Sequence, residues 1–138
     1  SMVQDIRVNK ILQEEGYSPL GGVYLYQLID AIDSMRKDED YYDNYSYDPS
    51  LKDRYMVWCY IMAWAYLKYF DLESTDRTTI EKFTKIFENK YPTQFEMASQ
   101  VRMIILENDI LSSGGHNNAM KELVKLWRLE DLVRLEAV

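Results

Sequence analysis

Residues that make turns and cross-links are scarce in this chain, which has one cysteine, three prolines and five glycines among 138 residues. The lone Cys59 cannot form an internal disulfide or a cysteine-rich zinc site. A sandwich or barrel of many strands would need more turn residues than this chain supplies. These absences favour long helices joined by few connections, and they lead us to interpret Cys59 as a small buried hydrophobe.

Basic residues are also in the minority, because 16 lysines and arginines stand against 23 aspartates and glutamates, which gives a net charge of −7. No stripe or tail rich in lysine and arginine occurs, although phosphate neutralisation supplies most of the affinity for nucleic acid. The charge therefore disfavours a nucleic-acid partner and leaves only a local basic face as a route to one. The opening residues SMVQDIRVNK contain no apolar signal segment, so we expect a cytoplasmic location.

No hydrophobic run is long enough to span a bilayer, which needs about 20 apolar residues. The most informative run is YMVWCYIMAWAYL, residues 55–67, which has thirteen uncharged residues and includes Trp58 and Trp64. Charged residues flank it on both sides. We therefore expect no membrane segment and predict a helix over about 49–70 that other helices cover on most of its faces.

Apolar spacing predicts further helices around this central one. They are expected over about 3–15, 23–37, 79–90 and 94–108, and from Asn117 towards the C-terminus. Thr78 with Glu81 and Thr93 with Glu96 match capping boxes, which mark helix starts. No useful segment alternates cleanly between apolar and polar residues. The prediction is an all-α, compact single-domain bundle, residues 1–138, of about five to six helices around the Trp/Tyr/Met-rich central helix.

The buried faces of the first two helices are predicted from the same spacing. On the first, Ile6, Ile11 and Leu12 lie roughly on one side. On the second, repeats of three and four residues form one apolar stripe. Its members are Leu25, Leu28, Ile29, Ile32 and Met35.

The segment DEDYYDNYSYD, residues 38–48, has no aliphatic residue and no helical period, so we expect an exposed loop. Clustered carboxylates can bind calcium, but here tyrosines occupy alternating ligand positions and no glycine makes the sharp turn, so no metal is predicted. The carboxylates are Asp38, Glu39, Asp40, Asp43 and Asp48. Tyrosine combines apolar area with a polar tip and suits protein interfaces. The candidate protein contacts are Tyr41, Tyr42, Tyr45 and Tyr47.

Signatures of catalysis are missing from the sequence. There is one histidine, His116, and no Ser-His-Asp signature, glycine-rich phosphate loop, zinc-protease pattern or nucleophile elbow. Carboxylate pairs such as Asp30 and Asp33 fit a plain polar helix face. We therefore predict no catalytic residue, no cofactor and no metal, and we expect that the chain is not an enzyme.

Three functions follow from these features. The first is a non-catalytic protein-interaction or regulatory module that binds a partner protein or a second copy of itself. The second is a DNA-binding regulator with a helix-turn-helix built from helices 79–90 and 94–108. Its candidate DNA contacts are Lys82, Lys85, Lys90, Thr93, Gln94, Ser99, Gln100 and Arg102. The third is a small ligand-binding bundle with a pocket beside Trp58, Trp64 or Trp127.

Two short segments add to the second function. ILQEEGYSPLGGVYLYQLIDAI, residues 11–32, and MASQV, residues 97–101, resemble the opening helix and recognition helix of the sporulation response-regulator effector domain. That resemblance implies an all-helical DNA-binding domain. The segment between the two is far longer here and contains the Trp-rich helix, and the segment that would read DNA has one arginine where that family is more basic.

Overall fold

Six helices make up the regular structure of the residues that the computed structural model describes, which are 2–18, 20, 22–37, 41–42 and 49–127. In chain order they are α1 (Met2–Glu14), α2 (Gly22–Arg36), α3 (Pro49–Tyr69), α4 (Ser74–Lys90), α5 (Pro92–Glu107) and α6 (Ser113–Leu126). They pack against one another in a compact bundle. The predicted all-α fold is thereby confirmed.

Helix α3 lies at the centre, as its apolar run predicts. Positions on all of its sides are buried between Met56 and Phe70, including the consecutive residues 60–63. Helices α1, α4 and α5 pack directly on it, while α2 packs on α4 and α6 packs on α5 and α1. A helix with partners on several sides needs no polar face, which explains why this run is apolar all round.

Three predicted helix starts are wrong. Helix α4 begins at Ser74, so Thr78 lies inside it, where its hydroxyl donates to the Ser74 carbonyl at 2.8 Å. Helix α5 begins at Pro92, so Thr93 lies in its first turn, and no side chain caps this helix. Both threonines are followed three residues later by glutamate, but that local pattern also fits a helix interior. Proline fits the first turn because its missing N–H has no partner there anyway.

The third wrong start is that of α6, which begins at Ser113 instead of Asn117. The Ser112 hydroxyl accepts from the Gly115 backbone N–H at 3.0 Å and caps the helix. In the sequence Gly114 and Gly115 look like a break between two helices. In the structure they form part of the first turn of α6. Residues 128–138, over which we also expected helix, lie outside the described residues.

The buried face of α1 differs from the predicted one. Val3 and Ile6 are fully buried, whereas Ile11 is 51% exposed and Leu12 is 41% exposed. On α2 the stripe is confirmed at Leu28, Ile32 and Met35, whereas Leu25 is only partly buried and Ile29 is exposed. Both helices lie at the outside of the bundle, so each buries a narrower stripe than its apolar residues would allow. No helix in the described part of the chain is long and apolar enough to cross a membrane.

Candidate functional site

The tyrosines predicted to contact a partner do not form an exposed cluster in the part of the loop that the structure describes. Tyr42 is completely buried, with 0% of its surface exposed, and Tyr41 is half-buried. Tyr45 and Tyr47 lie outside the described residues, as do all five carboxylates of the candidate calcium site. The expectation of a surface role is therefore wrong for Tyr42.

Aromatic packing explains the burial of Tyr42. Its ring makes edge contacts with Tyr55 and Phe87 at centroid distances of 6.0 and 6.4 Å, and with Tyr91 at 5.8 Å. Such tilted pairs add to the gain from area burial. Because these partners come from α3, from α4 and from the junction after α4, Tyr42 fixes its loop segment to the core.

Cys59 lies beside this cluster and is partly buried. Burial raises the pKa of its thiol to about 11, although hydrogen bonds with Tyr55 and Tyr42 act in the opposite direction. The nucleophilic form of cysteine is the thiolate. Cys59 packs against the core but is only partly buried, so the interpretation of it as a buried hydrophobe holds in part.

The candidate DNA contacts are divided between exposed and partly buried positions. Lys82, Lys85, Thr93 and Gln100 are exposed. Three others face neighbouring helices, so they do not share one open face with these four. Ser99, the eighth, donates to the Phe95 carbonyl of its own helix at 3.0 Å.

Each of those three side chains has a specific internal contact. Lys90 donates to the Met35 carbonyl of α2 at 3.2 Å, and Gln94 donates to Asp53 Oδ1 of α3 at 3.0 Å. The Arg102 guanidinium lies 5.8 Å from the centroid of the Tyr60 ring of α3. In addition, α4 and α5 are joined by a single residue, whereas a helix-turn-helix has a turn of about three to four residues.

A groove lined by three helices lies elsewhere, at the tryptophan that the sequence singles out first. Helix α3 contributes Trp58, Met62 and Tyr66, which follow one another at intervals of four and so lie on one face. We call this cavity of about 270 Å³ the Trp58 groove. Its other lining residues are Gln4, Asp5, Val8 and Asn9 of α1 and Tyr24 of α2.

The Trp58 groove combines aromatic surface with one negative charge. Trp58 is half-buried, and the rings of Tyr24 and Tyr66 pack at 5.0 Å between centroids. Asp5 and Tyr66 both line the groove, and burial together with the charge of Asp5 raises the pKa of Tyr66. Among the described residues that line the groove there is no lysine, arginine or histidine.

Tyr24 and Trp58 also line a second, smaller cavity of about 30 Å³. They therefore form a wall between this inner cavity and the Trp58 groove. The inner cavity has room for a water molecule and no more than a very small ligand. The Tyr24 hydroxyl is buried and has no hydrogen-bond partner, and burial raises its pKa well above the ordinary value.

The other two tryptophans are placed differently. Trp64 packs edge-on against Tyr69 of the same helix at 6.1 Å, and the Trp127 carbonyl accepts from Arg54 at 3.4 Å. Among the described residues, only those of α6 line a further depression of about 320 Å³. A single helix cannot enclose a ligand from two sides, so this depression is a weaker candidate than the Trp58 groove.

The described residues contain no group of three His, Cys, Asp or Glu side chains that could hold a metal ion. His116 is half-buried in the first turn of α6, and its Nε2 atom has no hydrogen-bond partner. No described serine, threonine or cysteine is hydrogen-bonded to that atom. The geometry therefore offers no nucleophile–base pair at His116.

Sequence reasoning found Trp58 but missed the walls of its groove. Asp5 and Val8 carry no signal in the sequence, because a polar and an apolar residue on an outer helix are ordinary. The interval of four that joins Trp58, Met62 and Tyr66 was available, but it is equally typical of a buried stripe.

Comparison with known proteins gives no match: no family model, no curated protein and no solved structure matches this chain. The resemblance to the sporulation effector domain gains no support from these comparisons. Residues 11–32 also span the end of α1, a connection and most of α2, where the resemblance implies one opening helix.

Proposed function

We propose that this chain is a non-catalytic helical module that binds a segment of a partner protein in the Trp58 groove. The observation that carries the proposal is the composition of the groove, in which the half-buried rings of Trp58 and Tyr24 lie beside the buried side chains of Met62 and Tyr66. Helices and extended segments commonly dock into such grooves through a few apolar anchors. Trp, Tyr and Met are also the residue types enriched at protein interfaces.

The size of the groove favours a side chain of a partner over a free metabolite. Pockets for small molecules have volumes of about 300–1,000 Å³ and enclose most of the ligand. At about 270 Å³ the Trp58 groove lies just below that range. Trp58 also supports the third function predicted from the sequence, a small-ligand site. The volume of the groove favours that function less than it favours protein binding.

Exposed apolar residues extend the surface along α1. Val8, which lines the groove, is 45% exposed, and Leu12 lies one turn further along the same face. A partner segment that anchors in the groove can therefore continue over Leu12. Such exposed apolar residues next to a concave site are typical of a docking surface.

Affinity capture from a lysate of the source cells, with three forms of the protein, tests the proposal. The forms are wild type, Val8→Lys in the groove and Met103→Lys on α5. Met103 is the matched control because it is an exposed apolar helix residue, at 60%, that does not line the groove. Circular dichroism and thermal unfolding establish that all three are folded.

The proposal predicts a protein that wild type and Met103→Lys recover and that Val8→Lys loses. A lysine at position 8 would bury an ammonium group in the interface, which costs several kcal/mol, about a hundredfold or more in affinity. Recovery of the same proteins by all three forms would overturn the proposal. So would the absence of any protein whose recovery depends on residue 8.

A further inference from the structure

We infer that the Trp58 groove takes a cationic side chain, a lysine or arginine of the partner segment, whose charged end pairs with Asp5 and whose stem lies on the aromatic floor. This inference rests on the proposed function and specifies the chemistry of the partner. Two observations carry it, which are the distribution of charge on α1 and the arrangement of rings around the groove.

The charges of α1 are separated by face. Arg7 lies about 200° around the helix from Asp5, at about 100° per residue, and it donates to the Ser113 hydroxyl of α6 at 3.1 Å. Lys10 donates to Gln13 at 3.2 Å and lies 5.8 Å from the centre of the Phe70 ring. Both cations of α1 are therefore engaged away from the groove. The face of α1 that lines the groove has the Asp5 carboxylate and no positive charge.

The rings provide the second part of a cation site. Tyr24, Trp58 and Tyr66 all line the groove. Ammonium and guanidinium groups are attracted to the faces of aromatic rings, most strongly to tryptophan. Lysine and arginine also bury their methylene stems on apolar surface while the charged end stays near water.

The net charge of −7 agrees with a basic partner and raises its rate of association.

Two small probes test the inference without a known partner. The first is n-butylammonium, which has the lysine side chain's stem and charge, and the second is n-butanol, its neutral counterpart. Each is titrated at constant ionic strength into the ¹⁵N-labelled protein, and binding is followed by NMR at the Trp58 indole N–H and the Asn9 backbone N–H. The same titrations are repeated on Asp5→Asn and on Asp30→Asn, which makes the same charge change at an exposed site outside the groove.

The inference predicts that wild type and Asp30→Asn bind the ammonium about three- to tenfold more tightly than the alcohol. In Asp5→Asn the two probes should bind within about twofold of each other. Equal affinities in wild type, or a preference that survives Asp5→Asn, would overturn the inference. Binding of both probes without preference would leave the groove intact as a docking site, so only the cation would be wrong. If neither probe perturbs the groove, the inference fails, and the capture experiment alone decides the proposed function.

Discussion

The ring of Tyr24 on α2 packs against the ring of Tyr66 on α3 with their centroids 5.0 Å apart and their planes inclined by 45°. This contact joins an outer helix to the central one, and both rings line the Trp58 groove. Both residues therefore belong to the packing of the bundle and to the lining of the candidate site. Substitutions at this contact show how much the polar groups of the rings contribute to the stability of the fold.

Removal of the Tyr24 hydroxyl should not destabilise the protein. Because that hydroxyl is buried without a partner, Tyr24→Phe should leave the free energy of unfolding unchanged or raise it by up to about 1 kcal/mol. The matched control is Tyr60→Phe, which removes a 2.6 Å hydrogen bond to the Glu88 carboxylate and should cost about 1–2 kcal/mol. Urea unfolding measures both. A larger loss for Tyr24→Phe than for Tyr60→Phe would contradict this account.

Removal of the Tyr42 ring should cost the protein a large part of its free energy of unfolding. Tyr42 is fully buried among aromatic rings, so Tyr42→Ala should lower the free energy of unfolding by about 3–5 kcal/mol. Tyr41→Ala is the comparison, since its half-buried ring should cost clearly less. Equal and small losses for the two variants, measured by urea unfolding, would contradict the burial of Tyr42. They would favour the surface role that the composition of its loop predicts.

The free energy of unfolding should decrease at alkaline pH, and the contribution of Cys59 should be lost first. Its pKa is about 11 in the folded protein against 9.0 unfolded, so its contribution is present below pH 9 and is lost as pH rises through 11. Burial raises the pKa values of Tyr24, Tyr42, Tyr60, Tyr66 and Tyr69 in the same direction from 10.0. At pH 10 about 1 kcal/mol of the Cys59 contribution has been lost.

The control for this pH effect is Cys59→Ala, compared by its change in free energy of unfolding between pH 8 and pH 10. The variant should lose about 1 kcal/mol less than wild type over that interval. Identical losses in the two proteins would mean that the thiol does not titrate differently on unfolding. The measurement uses the change within each protein, so any effect of the substitution at neutral pH cancels.

The start of α6 predicts different costs for two capping candidates. Ser112→Ala should lower the free energy of unfolding by about 1 kcal/mol, because the Ser112 hydroxyl satisfies the Gly115 N–H. Asn117→Ala, at the position that the sequence favours, lies inside the helix and should be neutral or slightly stabilising. The reverse order in thermal or urea unfolding would mean that the helix starts later.

Sequence alone predicts the helices well where burial is strong. The central helix follows from residues 55–67 because a run that is apolar on every side must be covered on every side. Helix α1 is less determined, since Val3 with Ile6 and Ile11 with Leu12 mark different faces, and contact with α3 selects the first. Capping patterns fail at Thr78 and Thr93 because neighbouring residues extend both helices towards their N-termini.

The candidate site is less predictable, because its parts come together only in the folded chain. Trp58 stands out in the sequence, but its groove exists because α1 places Asp5 and Val8 opposite it while α2 supplies Tyr24. Tyr42 shows the converse, since four tyrosines among carboxylates suggest a surface, yet tertiary contacts bury this one. Neither the assembly of the Trp58 groove nor the burial of Tyr42 can be predicted from local composition.

Photo-crosslinking from the groove tests the central claim most directly. A benzophenone amino acid replaces Val8 in one form of the protein and the exposed Met103 in the other, and each is irradiated in a lysate of the source cells. We predict a crosslinked partner from position 8 that is missing from position 103, joined through a segment with a lysine or arginine next to apolar residues. The same crosslinks from both positions, or none specific to position 8, would contradict the assignment of the Trp58 groove as the binding site.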